Sequence, residues 1–153
     1  MRYSENLFST GITIILALVT AAMGLMAIVQ LIVGPLGSKP APDWMLWGMT
    51  GLFLLITINF SVLRLRVDTE GFRVSYGVFS LRIPRSAIVS AELDQKGAFY
   101  GWGIRIGRYD GDWCWVYNVI GGPREAIKRS EGKFKRVLVS TARPEELQKA
   151  LVG

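Results

Sequence analysis

Two long, uninterrupted apolar segments dominate the first part of the chain. Residues 11–33 hold no charged side chain over 23 positions, and residues 44–63 hold none over 20. Neither segment contains proline, and each can cross a hydrocarbon core of roughly 30 Å as a helix rising about 1.5 Å per residue. The pattern therefore predicts transmembrane helices over 11–33 and 44–63, joined by a turn at 34–43 that is rich in proline and glycine.

A cleaved signal peptide is the alternative interpretation of the first segment, and it would leave a single span. The apolar region of a signal peptide is only roughly 7–15 residues long, and no small-residue cleavage motif follows this segment directly. Two retained spans are therefore favoured.

Positive charges set the expected orientation of these spans. Arg2 precedes the first segment, and Arg64, Arg66 and Arg73 follow the second, whereas the turn between them holds only Lys39. The positive-inside rule then places residues 1–10 in the cytoplasm as an N-terminal segment and the 34–43 turn outside. The sequence predicts a multi-pass protein of a bacterial inner (plasma) membrane with both termini cytoplasmic.

From residue 64 the pattern changes to short runs in which apolar and polar residues alternate. Alternation with a period of two, broken by glycine-containing turns, is typical of β-strands. The final segment differs, because Thr141 can cap a helix whose apolar face carries Leu147, Ala150 and Leu151. Residues 64–153 are thus predicted to form a cytoplasmic domain of about seven or eight strands and one C-terminal helix. The strand candidates are 63–69, 72–78, 80–84, 88–94, 126–130 and 133–140.

The stretch AFYGWGIRIGRYDGDWCWVY, residues 98–117, predicts a β-hairpin. Asp110-Gly111 suits a two-residue type I′ turn, which would pair Arg108 with Trp113, Ile106 with Trp115 and Ile104 with Tyr117. We expect the face with the large rings to form the core, because each ring buries roughly 150–250 Å². That face holds Trp102, Ile104, Ile106, Trp113, Trp115 and Tyr117, and the opposite face holds Gly101, Gly103, Arg105, Gly107, Cys114 and Val116.

The net charge of +6 arises entirely after residue 63, where 16 Lys and Arg stand against 10 Asp and Glu. If Glu131-Gly132 forms a two-residue turn, Lys128 faces Lys135, and an anionic surface would relieve that repulsion. A merely solvated basic face is the alternative, and the same applies to Arg105. The candidate contacts for a partner or for anionic lipid headgroups are Arg105, Arg124, Lys128, Arg129, Lys133, Lys135 and Arg136.

Candidate chemistry is sparse. The chain has no histidine and a single cysteine, Cys114, so the commonest general base and the commonest zinc ligand are both missing. Asp110 and Asp112 flank a turn glycine, and turn formation is the simpler explanation for them. The glycines complete no phosphate-binding motif. The sequence therefore predicts no catalytic residues, no cofactor, no metal and no nucleic-acid partner.

Several short motifs resemble one family. They are LRLRVDTEGFRVSYGV (63–78), the Ile83-Pro84-x-x-x-Ile88 link, GWGIR (101–105) and a last strand followed by PEEL (144–147). Together with the paired spans they are similar to bacterial membrane proteins with two transmembrane helices and a C-terminal pleckstrin-homology-like domain. The resemblance implies an α+β membrane protein in which a small antiparallel β-barrel is capped at one end by the C-terminal helix.

The resemblance also implies a membrane-linked assembly role rather than a chemistry. Lipid-binding relatives place basic residues around their first hairpin loop, whereas residues 68–71 here are acidic, so recognition at that loop is not carried over. The expected function is a non-enzymatic, membrane-anchored interaction module that binds a membrane protein, a second copy or the anionic inner leaflet. The alternatives are an accessory or regulatory subunit of a larger membrane complex and a membrane-bound enzyme with a site around Arg105.

Overall fold

A computed structural model describes residues 3–96 and 101–153 of the chain. The chain divides into two compact units. One is a helical unit of residues 10–61, and the other, called the β domain, combines residues 3–9 with residues 62–153. Arg2 and residues 98–100 of the predicted hairpin segment lie outside the described residues.

The helical unit consists of α1 (Thr10–Val33) and α2 (Asp43–Phe60), which pack against each other. Their apolar windows have mean hydropathies of 2.6 and 1.3, and only 6% of each window is buried. A core helix of a soluble protein would be mostly buried. Two helices long and apolar enough to cross a membrane are therefore confirmed, with α2 ending three residues earlier than predicted.

The turn between the helices is tied to α1 by one polar side chain. The Gln30 amide donates to the Ala41 carbonyl oxygen at 2.8 Å and to Asp43 Oδ1 at 2.6 Å. Because an unpaired amide within an apolar segment is costly, these bonds explain how Gln30 is accommodated there.

The first sheet of the β domain has four antiparallel strands in the order β1-β2-β3-β4. Strand β1 was not indicated by the hydrophobic pattern, because its second inward position is Glu5 and because the helical unit separates it from its partner β2 in the chain. Phe8 at the end of β1 pairs with Val62 at the start of β2. The bounds are β1 Tyr3–Phe8, β2 Val62–Val67, β3 Gly71–Tyr76 and β4 Phe79–Pro84.

The second sheet has five strands in the order β5-β8-β9-β7-β6. Strands β7 and β9 are parallel and the other pairs are antiparallel. The predicted closed barrel is not found, since the nine strands of the described residues form two separate sheets. A short 3₁₀ turn (Arg85–Ala87) leads into this sheet. The bounds are β5 Ile88–Leu93, β6 Gly103–Tyr109, β7 Asp112–Asn118, β8 Arg124–Arg129 and β9 Arg136–Ser140.

The predicted C-terminal helix is confirmed as α3 (Pro144–Val152), with Leu147 and Leu151 buried. It contacts β5 and β8 of one sheet and β1 and β2 of the other, so it touches both sheets. Thr141 does not cap it. Instead, the Thr141 hydroxyl donates to Glu5 Oε2 at 2.7 Å, which links the C-terminal segment to β1.

The β6–β7 hairpin confirms the predicted register and contradicts the predicted core face. Asp110 and Gly111 have φ of 53° and 83°, and all three predicted strand pairs form. However, Ile106 and Trp113 are 47% and 55% exposed, because Ile106 lies on an edge strand and Trp113 lies at the hairpin tip. Only Tyr117, farther along β7, is buried on that face. The opposite face forms a core of Tyr109, Cys114, Val116, Ala126 and Leu138.

Candidate interaction surface

Arginines form a row across the outer face of the first sheet. Arg66 on β2 lies opposite Arg73 on β3, which lies opposite Arg82 on β4. Their strand neighbours, such as Leu65 and Val74, are buried. Since side chains alternate between the two faces of a strand, the arginines all lie on the exposed face. We call Arg64, Arg66, Arg73 and Arg82 the arginine face.

The arginine face carries more positive charge than its surroundings neutralise. Arg82 pairs with the Glu70 carboxylate, and within residues 3–96 and 101–153 no ion pair is formed by Arg64, Arg66 or Arg73. Like charges directly opposite each other destabilise a sheet. Phosphate oxygens would relieve this repulsion, because a guanidinium donates two parallel hydrogen bonds to such groups.

Sequence reasoning did not assign a site to these arginines, although a signal was present. Each of the three strands places an arginine between apolar residues, as LRV (65–67), FRV (72–74) and LRI (81–83). The alternation therefore shows that each arginine points outward. Only the register, set by the turns between the strands, brings Arg66, Arg73 and Arg82 together.

The basic set predicted around the β8–β9 turn divides into buried and exposed members. Arg124 Nε lies 2.8 Å from Asp94 Oδ2, and both side chains are nearly or fully buried. The Arg129 Nε donates to the Phe134 carbonyl oxygen at 2.7 Å. Burial lowers the Arg129 pKa from its usual value. These two arginines therefore support the fold, while Lys128, Lys133 and Lys135 are exposed.

The register of this turn differs from the prediction. Lys128 lies opposite Arg136, not Lys135, because the connection between β8 and β9 is longer than two residues. Arg136 is compensated by the hairpin tip, with N–O distances of 3.4 Å to Asp110 and 3.6 Å to Asp112. The like-charge pair therefore exists with a different partner and is largely neutralised.

Arg105 is exposed, as expected, and lies against the backbone. Its guanidinium donates to the Trp102 carbonyl oxygen at 3.0 Å. Gly101 has a φ of +68°, and a Cβ there would approach this guanidinium to 2.7 Å. Arg105 lies opposite Val116, four residues from Asp112 along β7, or roughly 13 Å at about 3.4 Å per residue. The structure does not bring Arg105 and the acidic hairpin tip together.

The structure also gives the environment of the candidate metal ligands and of the single cysteine, Cys114. Among the residues that the structure describes, no three potential metal ligands of the types His, Cys, Asp or Glu cluster. Cys114 is buried, and burial raises the pKa of its thiol. Since the thiolate is the reactive form of cysteine, this residue is suited to packing.

A second exposed surface is aromatic and cationic. The Arg108 guanidinium lies 5.2 Å from the Trp113 ring, and the Lys133 ammonium lies 5.5 Å from the Phe134 ring. Trp115 meets Phe134 edge-on with ring centroids 5.4 Å apart. We call this region of the second sheet, together with Ile106, the aromatic surface.

One buried carboxyl group stands apart from both surfaces. Glu125 on β8 is 1% exposed, and its Oε1 atom has no hydrogen-bond partner among the described residues. Burial, with a smaller contribution from the charge of Glu92, raises the Glu125 pKa to about 7. The folded domain therefore prefers the protonated form.

This preference predicts a pH-dependent stability. Between about pH 4.5, the ordinary pKa, and pH 7, the folded state holds a proton that the unfolded state has lost. Stability should therefore fall as the pH rises through this window, by about 2–3 kcal/mol. Glu125→Gln should flatten the profile in chemical denaturation at pH 5 and pH 8, whereas Glu92→Gln should change it little. If the stability of Glu125→Gln depended on pH as strongly as that of the parent, groups other than Glu125 would be responsible for the pH dependence.

Comparison of the chain with protein-family models, with curated proteins and with solved structures finds no match. Its role is therefore inferred from its own surfaces and connections.

Proposed function

We propose that the protein is a non-enzymatic, membrane-anchored interaction module of a bacterial inner (plasma) membrane. In this proposal α1 and α2 span the bilayer, both termini are cytoplasmic, and the β domain binds the anionic leaflet through the arginine face. The observation that carries the proposal is the alignment of Arg66, Arg73 and Arg82 on neighbouring strands.

The chain connection supports this topology. A single residue, Ser9, separates β1 from α1, and Ser61 alone separates α2 from β2. Because β1 and β2 pair with each other, the two ends of the helical unit must emerge on the same side of a bilayer. Two spans satisfy this condition and one does not. The arginines that closely follow α2, Arg64, Arg66 and Arg73, favour the cytoplasmic side for this end of the helical unit.

The family assignment belongs to the same proposal. Two sheets and a C-terminal helix that contacts both support a distant pleckstrin-homology-like relationship. The order of the second sheet departs from strands paired in chain order, because β8 and β9 lie between β5 and β7.

Electrostatics explains how the arginine face would act. Each basic residue near an anionic leaflet contributes about 1 kcal/mol, and the attraction decays over a Debye length of about 10 Å at 0.1 M salt. Arg64 follows the end of α2 by four residues, so the chain keeps this end of the arginine face near the point where α2 would leave the bilayer. The tether removes most of the cost of bringing the two surfaces together.

The proposal predicts that lipid binding depends on the arginine face and not on the lysines of the β8–β9 turn. The test uses a joined β domain, in which an Asn-Gly turn connects residues 3–8 to residues 62–153. Arg66→Gln/Arg73→Gln should weaken sedimentation with vesicles containing phosphatidylglycerol about 30-fold, because two contributions of about 1 kcal/mol are lost.

The matched control removes the same charge elsewhere. Lys133→Gln/Lys135→Gln should weaken binding less than about threefold. Neither pair of substitutions should change binding to neutral phosphatidylcholine vesicles. Binding of the parent should decline as salt rises. If both double variants lost the same amount of vesicle binding, binding would depend only on the net charge of the domain. A larger loss of binding in the lysine variant would identify the β8–β9 turn as the lipid-binding site.

The aromatic surface favours a second candidate function, that of an accessory subunit in a larger membrane complex. Exposed aromatic and arginine side chains are enriched where proteins bind each other. Trp113→Ser should then abolish co-purification of a partner in mild detergent while leaving lipid binding by the arginine face unchanged.

A further inference from the structure

We infer that the β3–β4 turn, together with Phe8, inserts into the interfacial layer of the bilayer that α1 and α2 span. This insertion would fix the orientation of the β domain at the membrane. The inference rests on the part of the proposed function in which the two helices cross the bilayer. It does not depend on the arginine face.

Strand pairing places this turn at a defined end of the first sheet. Phe8 pairs with Val62, the next pair along β2 joins Leu63 to Tyr76, and Tyr76 pairs with Phe79 across the turn. The turn therefore lies at the end of the sheet where the chain leaves for α1 and returns from α2. The hydroxyl groups of Ser9 and Tyr76 lie 3.4 Å apart, so the chain exit is close to the side chain of the β3 residue that precedes the turn.

The side chains at this end are unusually apolar for a solvent-exposed turn. Val78 is 84% exposed, Phe79 is 52% exposed and Phe8 is 55% exposed. Gly77 has a φ of 50°, so glycine meets the backbone requirement of the turn and Val78 occupies its other central position. Turns normally carry polar residues, and clustered exposed apolar side chains mark a surface that meets another apolar phase.

The opposite end of the same sheet has the contrary character. The β2–β3 turn is polar and acidic, and Asp68 Oδ1 accepts hydrogen bonds from the backbone N–H groups of Glu70 and Gly71. An anionic leaflet would repel this turn. The first sheet thus changes from apolar at the chain exit to acidic at its far end.

Chain continuity selects the bilayer as the occupant of the apolar end. Phe8 lies two residues before α1, and Val62 lies two residues after the end of α2, so this end of the sheet cannot move far from the point where the helices enter the lipid. Aromatic and aliphatic side chains are favourable at that depth. Arg64 lies two residues farther along β2, roughly 7 Å away, which suits the phosphate layer.

The experiment places an environment-sensitive NBD probe on the full chain in vesicles of phosphatidylcholine alone. Val78→Cys carries the probe at the turn, and Thr69→Cys carries it at the acidic end as the matched control. The native Cys114 is buried, and an unsubstituted chain treated in parallel measures its background labelling. Lipids spin-labelled near the headgroup should quench the Val78→Cys probe by roughly half or more and leave the Thr69→Cys probe nearly unquenched.

The other outcomes overturn the inference in different ways. Equal quenching at both positions would mean that the first sheet lies flat on the membrane even in neutral lipid, where the arginine face has no anionic partner, and that the turn does not set the orientation of the sheet. Quenching at neither position, with the Val78→Cys probe open to aqueous iodide, would mean that the turn is free in water. Protection from iodide without lipid quenching would indicate a protein contact, such as a second copy.

The conditions separate this test from that of the arginine face. Neutral lipid and high salt suppress electrostatic binding, so quenching of the Val78→Cys probe should persist there. Quenching in the full-length Arg66→Gln/Arg73→Gln variant should equal that of the parent. If the arginine face fails its test and this quenching remains, only the proposed leaflet binding is lost.

Discussion

A chain in which an Asn-Gly turn joins Phe8 to Val62 should fold as a soluble β domain, and a chain that begins at Val62 should not fold. The first expectation follows from the Phe8–Val62 pair, which leaves the two strand ends adjacent. Asn-Gly is the preferred two-residue connection for such a pair. The second expectation follows from what β1 contributes to the fold.

Strand β1 supplies both a ladder and a buried polar cluster. The Glu5 carboxylate accepts hydrogen bonds from the Tyr3 hydroxyl at 2.7 Å, the Thr141 hydroxyl at 2.7 Å and the Ala142 N–H at 3.0 Å. Burial raises the pKa of Tyr3, which therefore stays a neutral donor. Without β1, Thr141 and Ala142 lose these partners and the buried side of β2 is uncovered. A cost of several kcal/mol is comparable with the whole stability of a small domain.

Circular dichroism and thermal melting distinguish the two chains. The joined domain should melt cooperatively, whereas residues 62–153 alone should show no cooperative transition or a much lower Tm. Ser4→Ala is the matched control in the joined domain, because Ser4 is an exposed position of β1, and it should change the Tm little. Equal melting of the chains with and without β1 would show that β1 is dispensable.

Arg124→Ala should destabilise the β domain by about 3–5 kcal/mol, the usual cost of leaving a buried charge without its partner. The Asp94 side chain is fully buried and the Arg124 side chain is only 12% exposed. Asp94 links the end of β5 to β8, since its backbone N–H also donates to the Arg124 carbonyl oxygen at 2.8 Å. Loss of the guanidinium would therefore weaken the connection between β5 and β8 and also leave the buried Asp94 carboxylate without its counter-charge.

Urea denaturation of the joined domain measures this cost. Lys128→Ala removes an exposed basic residue from the same strand and should cost less than about 0.5 kcal/mol. Asp94→Ala/Arg124→Ala should be less harmful than the single Arg124→Ala change, because it leaves no buried carboxylate behind. If Arg124→Ala cost no more stability than Lys128→Ala, Arg124 would have no structural role and would behave like the exposed basic residues.

Local patterns predicted the elements better than their assembly. The turn at Asp110-Gly111 fixed the register of β6 and β7 because both residues tolerate a positive φ. The same pattern could not show which face would be covered, since that depends on which segments pack on the sheet. The large rings suggested a core, yet Trp113 ends at an open tip while the smaller Cys114 is fully buried.

The functional surfaces were hidden for a related reason. The dense run of basic residues between 124 and 136 suggested a binding surface. Two of its members, Arg124 and Arg129, are instead used inside the domain, in an ion pair and a hydrogen bond. The arginine face is spread over three strands and is assembled only by register. Strand β1 was missed because its partner lies 54 residues farther along the chain at the Phe8–Val62 pair, a separation that no local pattern can report.

The split of the β domain around the helical unit has a consequence for synthesis. In a chain made from its N-terminus, β1 leaves the ribosome before α1 and α2, while β2 and the Thr141 partner of Glu5 come later. Strand β1 therefore stays unpaired until both helices and β2 have been synthesised. If both helices were inserted with the wrong orientation, β1 and β2 would still pair, but in the wrong compartment. If only one helix were inserted, β1 and β2 would lie on opposite sides of the membrane and could not pair. Completion of the first sheet would thus report that the pair of helices was inserted together, and a half-inserted chain would present an open strand edge to proteases.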